Sequence, residues 1–144
     1  MHRRNFLLQA AAAATLAAAA VPAAQAQAWP SRPIRLIVGF APGGGTDIVA
    51  RALAPRISEL LGQQVTVENR PGASGVIGAD LVAKAPADGY TLVMGQTSNL
   101  AINPFLHAKM PYDPVKDLAP IALVASAPLV LVAAPDAELS TLPA

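Results

Sequence analysis

The chain has 144 residues, ten basic and nine acidic, for a net charge of +1, and contains no cysteine. So balanced a charge excludes the basic surface that nucleic acid demands. The missing cysteines exclude both disulfides and thiol chemistry.

The first 28 residues, "MHRRNFLLQAAAAATLAAAAVPAAQAQA", combine two arginines, an Ala/Leu-rich run and small residues around Ala-Gln-Ala. That is the order of a secretory signal peptide, with cleavage expected after Ala26 or Ala28. The alternative, a membrane-spanning helix, fits poorly: the run is mostly alanine, is broken by Pro22 and lacks a basic stop-transfer flank. "RRNFL" resembles a twin-arginine signal, and a pair of arginines also suits the general export route, so both routes stay open. Removing Arg3 and Arg4 leaves eight basic against nine acidic residues, a net charge of −1. The mean hydropathy of +0.44 is likewise raised by the alanine tract.

"IRLIVGF" (34–40) is short, apolar and β-branched, as a buried parallel strand should be. From Thr46, the apolar positions Val49, Leu53, Ile57, Leu60 and Leu61 recur every three or four residues and predict a helix. Thr46 or Asp47 suits its start and Gly62 its end, and Pro55 should kink or split it. "QVTVE" (64–68) predicts a second strand and "NRPGASG" (69–75) a second loop. "VIGADLVAKA" (76–85) predicts a helix stopped by Pro86. "YTLVMG" (90–95) predicts a third strand, which runs into the polar loop "QTSN" (96–99). Residues 102–120 are proline-rich and predict irregular chain with a short helix. "IALVASAPLVLVAAPDAEL" (121–139) predicts two more strands, interrupted at 126–128. The final "LSTLPA" reads as the approach to a further helix, so the chain is expected to be a piece of a longer protein.

Alternating strands and helices predict right-handed βαβ units, hence an α/β fold in which a parallel sheet is flanked by helices in three layers. Three loops then gather at the carboxyl edge of the sheet, where open α/β sheets bind ligands.

The composition of these loops rules out several chemistries. A Walker A loop needs a Lys and a hydroxyl after its last glycine, but here Gly43, Gly44 and Gly45 lead to Thr46 and Asp47. A dinucleotide loop would need glycine where Ile48 stands, and Asp47 would repel phosphate. "GASGVIG" sets Ser74 one residue off the G-x-S-x-G spacing of a nucleophile elbow. The one mature histidine, His107, sits in a polar, proline-flanked stretch and is expected at the surface. Metal-ligand spacing is missing, and no cofactor is implied. What the loops do suit is capture of a small carboxylate. Helix N-termini and glycine loops aim N–H groups at an anion without a fixed charge. Gly43 to Gly45 offer one such set and Gly72 to Gly75 a second, while Ser74, Gln96, Thr97, Ser98 and Asn99 add neutral polar groups. Taken singly, each glycine set could serve only a tight turn.

Residues 29–95, "WPSRPIRLIVGFAPGGGTDIVARALAPRISELLGQQVTVENRPGASGVIGADLVAKAPADGYTLVMG", resemble the Bug proteins, periplasmic receptors of tripartite tricarboxylate transporters. The likeness continues through "INPFLHAKMPYDPVKDLAPIALVASAPLVLV" (102–132). It implies one lobe of a two-lobed, Venus-flytrap (type II) binding protein of about twice this mature length. The lobe would be residues 29–130, and residues 131–144 would cross toward a second lobe. It further implies a non-catalytic periplasmic receptor, acting as a monomer, that delivers a small organic carboxylate to membrane permease subunits. By the resemblance, Phe40, Ala41, Pro42, Gly43, Gly44, Gly45, Thr46 and Asp47, with the loop from Asn69 to Gly75 (Pro71, Gly72, Ala73, Ser74 and Gly75 in it), hold one carboxylate largely through backbone groups and ordered waters. Gln96, Thr97, Ser98 and Asn99 face the cleft and vary with the ligand. Family members often carry Pro-Pro where this chain has Ala41-Pro42, and Pro55 departs from the usual helix. Two other readings are an exported α/β enzyme whose catalytic residues lie elsewhere, and a ligand-sensing subunit of a membrane signalling partner. The fragment alone is expected to be marginally stable and to bind carboxylates weakly or not at all.

Overall fold

β-Branched and leucine side chains make Ile34–Val38 the central strand, β1, of a three-stranded sheet. The computed structural model describes residues 28–128, 130 and 132, so the expected signal peptide and the expected crossover segment lie almost wholly outside the described residues. β2 (Val65–Asn69) and β3 (Thr91–Met94) flank β1, both parallel to it, in the order β2-β1-β3. The register aligns Val38 with Asn69 and with Met94, so the three strands end level.

Alternate residues of a strand face opposite ways. Ile34, Leu36 and Val38 meet helix α1 (Gly45–Leu61), which lays Ala50 and Ala54 on them with Ile57 and Leu61 alongside. Ile37, fully buried, faces the other side of the sheet. There α2 (Val76–Ala83) touches β1 and β3, and packs Val76 and Ala79 against Tyr112 with Met110 and Leu118. The three layers are therefore as the alternating elements predict. At the opposite edge of the sheet, Arg32 pairs with Asp88 at 2.8 Å and lies 4.1 Å over the Tyr90 ring, tying the start of the described chain to β3.

Pro55 does not split α1. Its ring nitrogen withholds one hydrogen bond from the Arg51 carbonyl, but both residues lie on the exposed side of the helix, where water can replace it. Gly62 ends the helix in the left-handed conformation at φ 66°, as expected of a C-terminal glycine. The start differs: Gly44 occupies the N-cap with no side-chain capping bond, and Thr46 and Asp47 lie inside the first turn.

After β3 the chain forms a π-helical turn, Ser98–Ile102, and a short helix, α3 (Asn103–Leu106). The strand predicted from Ile121 does not form. Residues 121–128 are exposed and lack regular structure, because an apolar run becomes a strand only against a ladder partner, and the described sheet gives it none. The second strand predicted there falls largely outside the described residues.

Candidate functional site

β1 leads to β2 on one side, and the chain then crosses β1 to form β3 on the other. This 2-1-3 order makes the carboxyl ends of β1 and β3 a topological switch point, the place where open sheets leave a crevice. The loops after all three strands meet around it.

The first loop runs from Phe40 to Asp47. Ala41, Pro42, Gly43, Gly44 and Gly45 are exposed, whereas Thr46 and Asp47 are buried. Gly43 takes φ +82°, which turns the chain into α1. The amides of Gly45, Thr46 and Asp47 head the helix, have no carbonyl one turn earlier to bond, and find no acceptor among the described residues.

Asp47 is the anchor beneath this loop. Its carboxylate accepts from the Gly43 amide at 2.9 Å, from Arg51 Nε at 3.0 Å and from Asn69 Nδ2 at 2.9 Å. Arg51 Nη2 in turn donates to Asn69 Oδ1 at 2.9 Å, and Asn69 Nδ2 reaches the Phe40 carbonyl at 3.1 Å. The Arg51 guanidinium, with the Gly43 amide and Asn69, holds the Asp47 carboxyl down to about 2, so it is ionised and its charge is paired inside the protein. Sequence reasoning placed Asp47 at the helix start and Asn69 at the head of the second loop, but missed Arg51 and the contact of Asn69 with Asp47. The i, i+4 spacing of Asp47 and Arg51 was the available signal, whereas Asn69 arrives only through the register of β2.

The second loop is backbone of an uncommon kind. Gly72, Ala73, Ser74 and Gly75 are consecutive residues with positive φ, at 138°, 46°, 53° and 87°. Two of them carry a Cβ, a conformation of order 1–3 kcal/mol above the usual wells. The loop closes on itself: the Gly75 amide donates to the Gly72 carbonyl at 3.0 Å and the Val76 amide to the Ala73 carbonyl. The amides of Ala73 and Ser74 find no acceptor among the described residues. Pro71, Ala73 and Ser74 are exposed, and Gly75 is buried.

Close packing of glycine joins the first two loops. A Cβ on Gly39 would stand 2.9 Å from the Gly75 Cα, and one on Gly78 would stand 2.8 Å from the Gly39 Cα. Neither Gly39 nor Gly78 was singled out from the sequence, since both sit inside apolar patterns. The third loop joins through side chains. Gln96 Nε2 donates to Thr46 Oγ1 across the switch point, and both Gln96 and Thr97 are exposed. Ser98 is half-buried. Asn99 does not face the cleft as expected: it is fully buried, because its side chain accepts from the Gln96 amide at 2.8 Å and donates to the Gly75 carbonyl at 3.3 Å. Tyr112 Oη donates to the Asn99 carbonyl at 2.6 Å, and Asn103 Nδ2 donates to the Ser74 carbonyl at 3.2 Å. The three predicted loops are thus drawn together, while Asn103 and Tyr112, which fasten them, were not predicted. His107 lies exposed, as expected.

The chemistry on offer is a set of neutral donors with no unpaired cation among the residues named. Such a set suits an anion of low charge density, such as a carboxylate.

The family described as "Tripartite tricarboxylate transporter family receptor" matches residues 49–143. The protein BugT of Bordetella pertussis is 48% identical over 120 residues, which cover 83% of this chain and 37% of BugT. Among solved structures, MatC from Rhodopseudomonas palustris with bound malate is 40% identical with a TM-score of 0.64, over 67% of this chain and 33% of MatC. Rpa4515 of R. palustris with adipate is 47% identical with a TM-score of 0.58, over 60% of this chain and 29% of that one. The chain therefore spans about a third of the length of the relatives it matches. It belongs to the tripartite tricarboxylate transporter receptor family, among the Bug proteins, and its sheet is that of a periplasmic binding protein.

Proposed function

We propose that the chain forms the carboxylate-holding lobe of a periplasmic, non-catalytic receptor that captures a small organic acid for the permease subunits of a tripartite tricarboxylate-type transporter. Residues 29–130 make the lobe, and residues 131–144 lead toward a second. The exposed apolar side chains of Phe105, Leu106, Ile121 and Leu123 support this division, since they offer a surface for the rest of a longer receptor.

One observation carries the reading. Five amides, those of Gly45, Thr46, Asp47, Ala73 and Ser74, find no acceptor among the described residues and sit on two loops packed together at one sheet edge. Phe40, Ala41, Pro42, Gly43, Gly44, Pro71, Gly72 and Gly75 shape those loops, and Gln96, Thr97 and Ser98 supply side-chain polarity beside them. Asp47 acts from below by holding Gly43, Arg51 and Asn69 in place. A bound acid would take its carboxylate oxygens to the amides, each contributing a charge-assisted bond of about 1.5–3 kcal/mol. The malate and adipate held by MatC and Rpa4515 make acids of four to six carbons the first to try.

The test removes one amide without disturbing the fold. Gly45 is the first residue of α1, a position that tolerates proline, and Gly44 already has φ −75° and ψ 164°, the conformation a residue takes before proline. A Cβ at Gly45 meets nothing within 4 Å. Isothermal titration of the intact protein with malate, succinate and adipate should show binding without consumption of the acid. G45P should weaken it by about tenfold or more with an unchanged melting temperature, the expected loss of one bond to a charged group. Absence of binding across the panel, or turnover of the acid, would overturn the proposal.

A further inference from the structure

The strained second loop is held from behind by two asparagines. Its four carbonyls are all engaged: Gly72 by the Gly75 amide, Ala73 by the Val76 amide, Ser74 by Asn103 Nδ2 and Gly75 by Asn99 Nδ2. In a trans peptide the N–H of each residue points opposite to the carbonyl before it. Fixing the Gly72 and Ala73 carbonyls therefore turns the Ala73 and Ser74 amides outward. The bonds to the Ser74 and Gly75 carbonyls keep the turn from unwinding out of its positive-φ wells.

Asn99 and Asn103 are both buried, and their amide orientations follow from their partners. Asn99 faces an N–H with its oxygen and a carbonyl with its nitrogen, so only one orientation satisfies both. The two residues are four apart, and the π-helical turn Ser98–Ile102 brings both side chains to adjacent carbonyls of the same loop. Single π-turns of this kind are rare and occur frequently at functional sites. Asn99 also fixes the Gln96 amide, so one residue holds both the second and the third loops.

We propose that Asn99 and Asn103 are positioning residues for anion capture. They touch no ligand, but they keep the amides of Ala73 and Ser74 presented as a preformed pair of donors and couple that pair to Gln96. The proposal rests on the carboxylate-receptor reading and goes beyond it by assigning a function to two residues outside the donor set. Without them the loop would relax its positive-φ residues, and a ligand would have to rebuild the donor geometry on binding, which lowers affinity.

Two measurements on the intact protein test it. In the wild type, malate should move the Ala73 and Ser74 amide-proton resonances downfield, leaving those of Gly75 and Val76, already bonded within the loop, nearly still. In N103D, a substitution of equal size that sets an acceptor against the Ser74 carbonyl, malate affinity should fall about tenfold. The Ala73 and Ser74 responses should disappear while those of Gly45 and Thr46 persist. A purely structural role would weaken all four responses together. If Gly45 and Thr46 respond but Ala73 and Ser74 do not, or if N103D binds malate within twofold of wild type, the positioning role is wrong and the receptor reading stands. If no loop amide responds to any acid of the panel, the receptor reading fails and this inference fails with it. Should N103D not fold, the wild-type resonance pattern alone decides.

Discussion

Gly75→Ala should strongly destabilise the fold, because both backbone conformation and packing oppose a methyl there. Gly75 has φ +87°, a region that costs a residue with a Cβ about 1 kcal/mol. The added carbon would also stand 2.9 Å from Asn99 Nδ2 and 2.9 Å from Phe40 Cζ, closer than carbon normally approaches either. Neither neighbour can yield freely, because Asn99 is fully buried and bonded on three sides, and Phe40 packs onto the core beneath α1. Overpacking of that kind costs about 1–3 kcal/mol, for a total near 2–4 kcal/mol. Urea unfolding followed by circular dichroism would read it as a midpoint lowered by roughly 1–2 M, taking about 2 kcal/mol per M as the slope. Gly45→Ala is the matched control, since its Cβ meets open space in an ordinary helical conformation. It should leave the midpoint unchanged or raise it, by up to about 1 kcal/mol of helix propensity. A Gly75→Ala midpoint within about 0.3 M of wild type would refute the packing argument. So would equal losses from both substitutions, which would mean that glycine matters here for chain flexibility rather than for room.

Two further outcomes follow from the polar network. Arg51 and its neighbours hold the Asp47 carboxyl to about 2, and Arg35 with Arg70 holds the Glu68 carboxyl to about 2, both below the unfolded range. Depressed folded values stabilise the fold above the unfolded pKa and are lost as pH falls toward the folded one. Melting temperature should thus hold from neutrality to about pH 4.5 and drop between about pH 4 and 2, with Asp47→Asn flattening part of that drop. An unchanged slope in Asp47→Asn would show that the Asp47 cluster contributes nothing to it. Tyr112→Phe removes the donor to the buried Asn99 carbonyl and should destabilise by about 1 kcal/mol in the same urea assay, with no change in slope.

Local pattern located the elements closely because each is governed by its own residues. The strand expected at 34–40 spans Ile34–Val38, the helix expected from Thr46 spans Gly45–Leu61, and the helix expected at 76–85 spans Val76–Ala83. The three glycine and polar loops were legible for the same reason, since turn residues announce themselves between periodic runs. The fastening of those loops was not. Asn69 reaches Asp47 across 22 positions, Asn103 reaches Ser74 across 29, and Tyr112 reaches Asn99 across 13. Each looks like an ordinary surface polar residue until the 2-1-3 strand order folds it inward. Residues 121–128 failed in the opposite way: their apolar run satisfies the local pattern of a strand, but pairing is a property of the neighbours.

On the proposed receptor reading, the position of Asp47 would let the site hold an anion without gripping it. A carboxylate in the first turn of a helix stabilises the helix dipole and would ordinarily compete with an anionic ligand for the same amides. Here its oxygens are turned to Arg51, Asn69 and the Gly43 amide. The Arg51 charge is offset by the carboxylate it touches, so the pair adds little net field at the loop surface. What remains for a ligand is the end of the helix and two outward amides of the second loop. A formal cation in that place would add attraction that had to be undone at release. On that reading, neutral donors would give an affinity that geometry sets, through residues such as Asn99 and Asn103, and geometry is what a receptor can change when it must hand its ligand on.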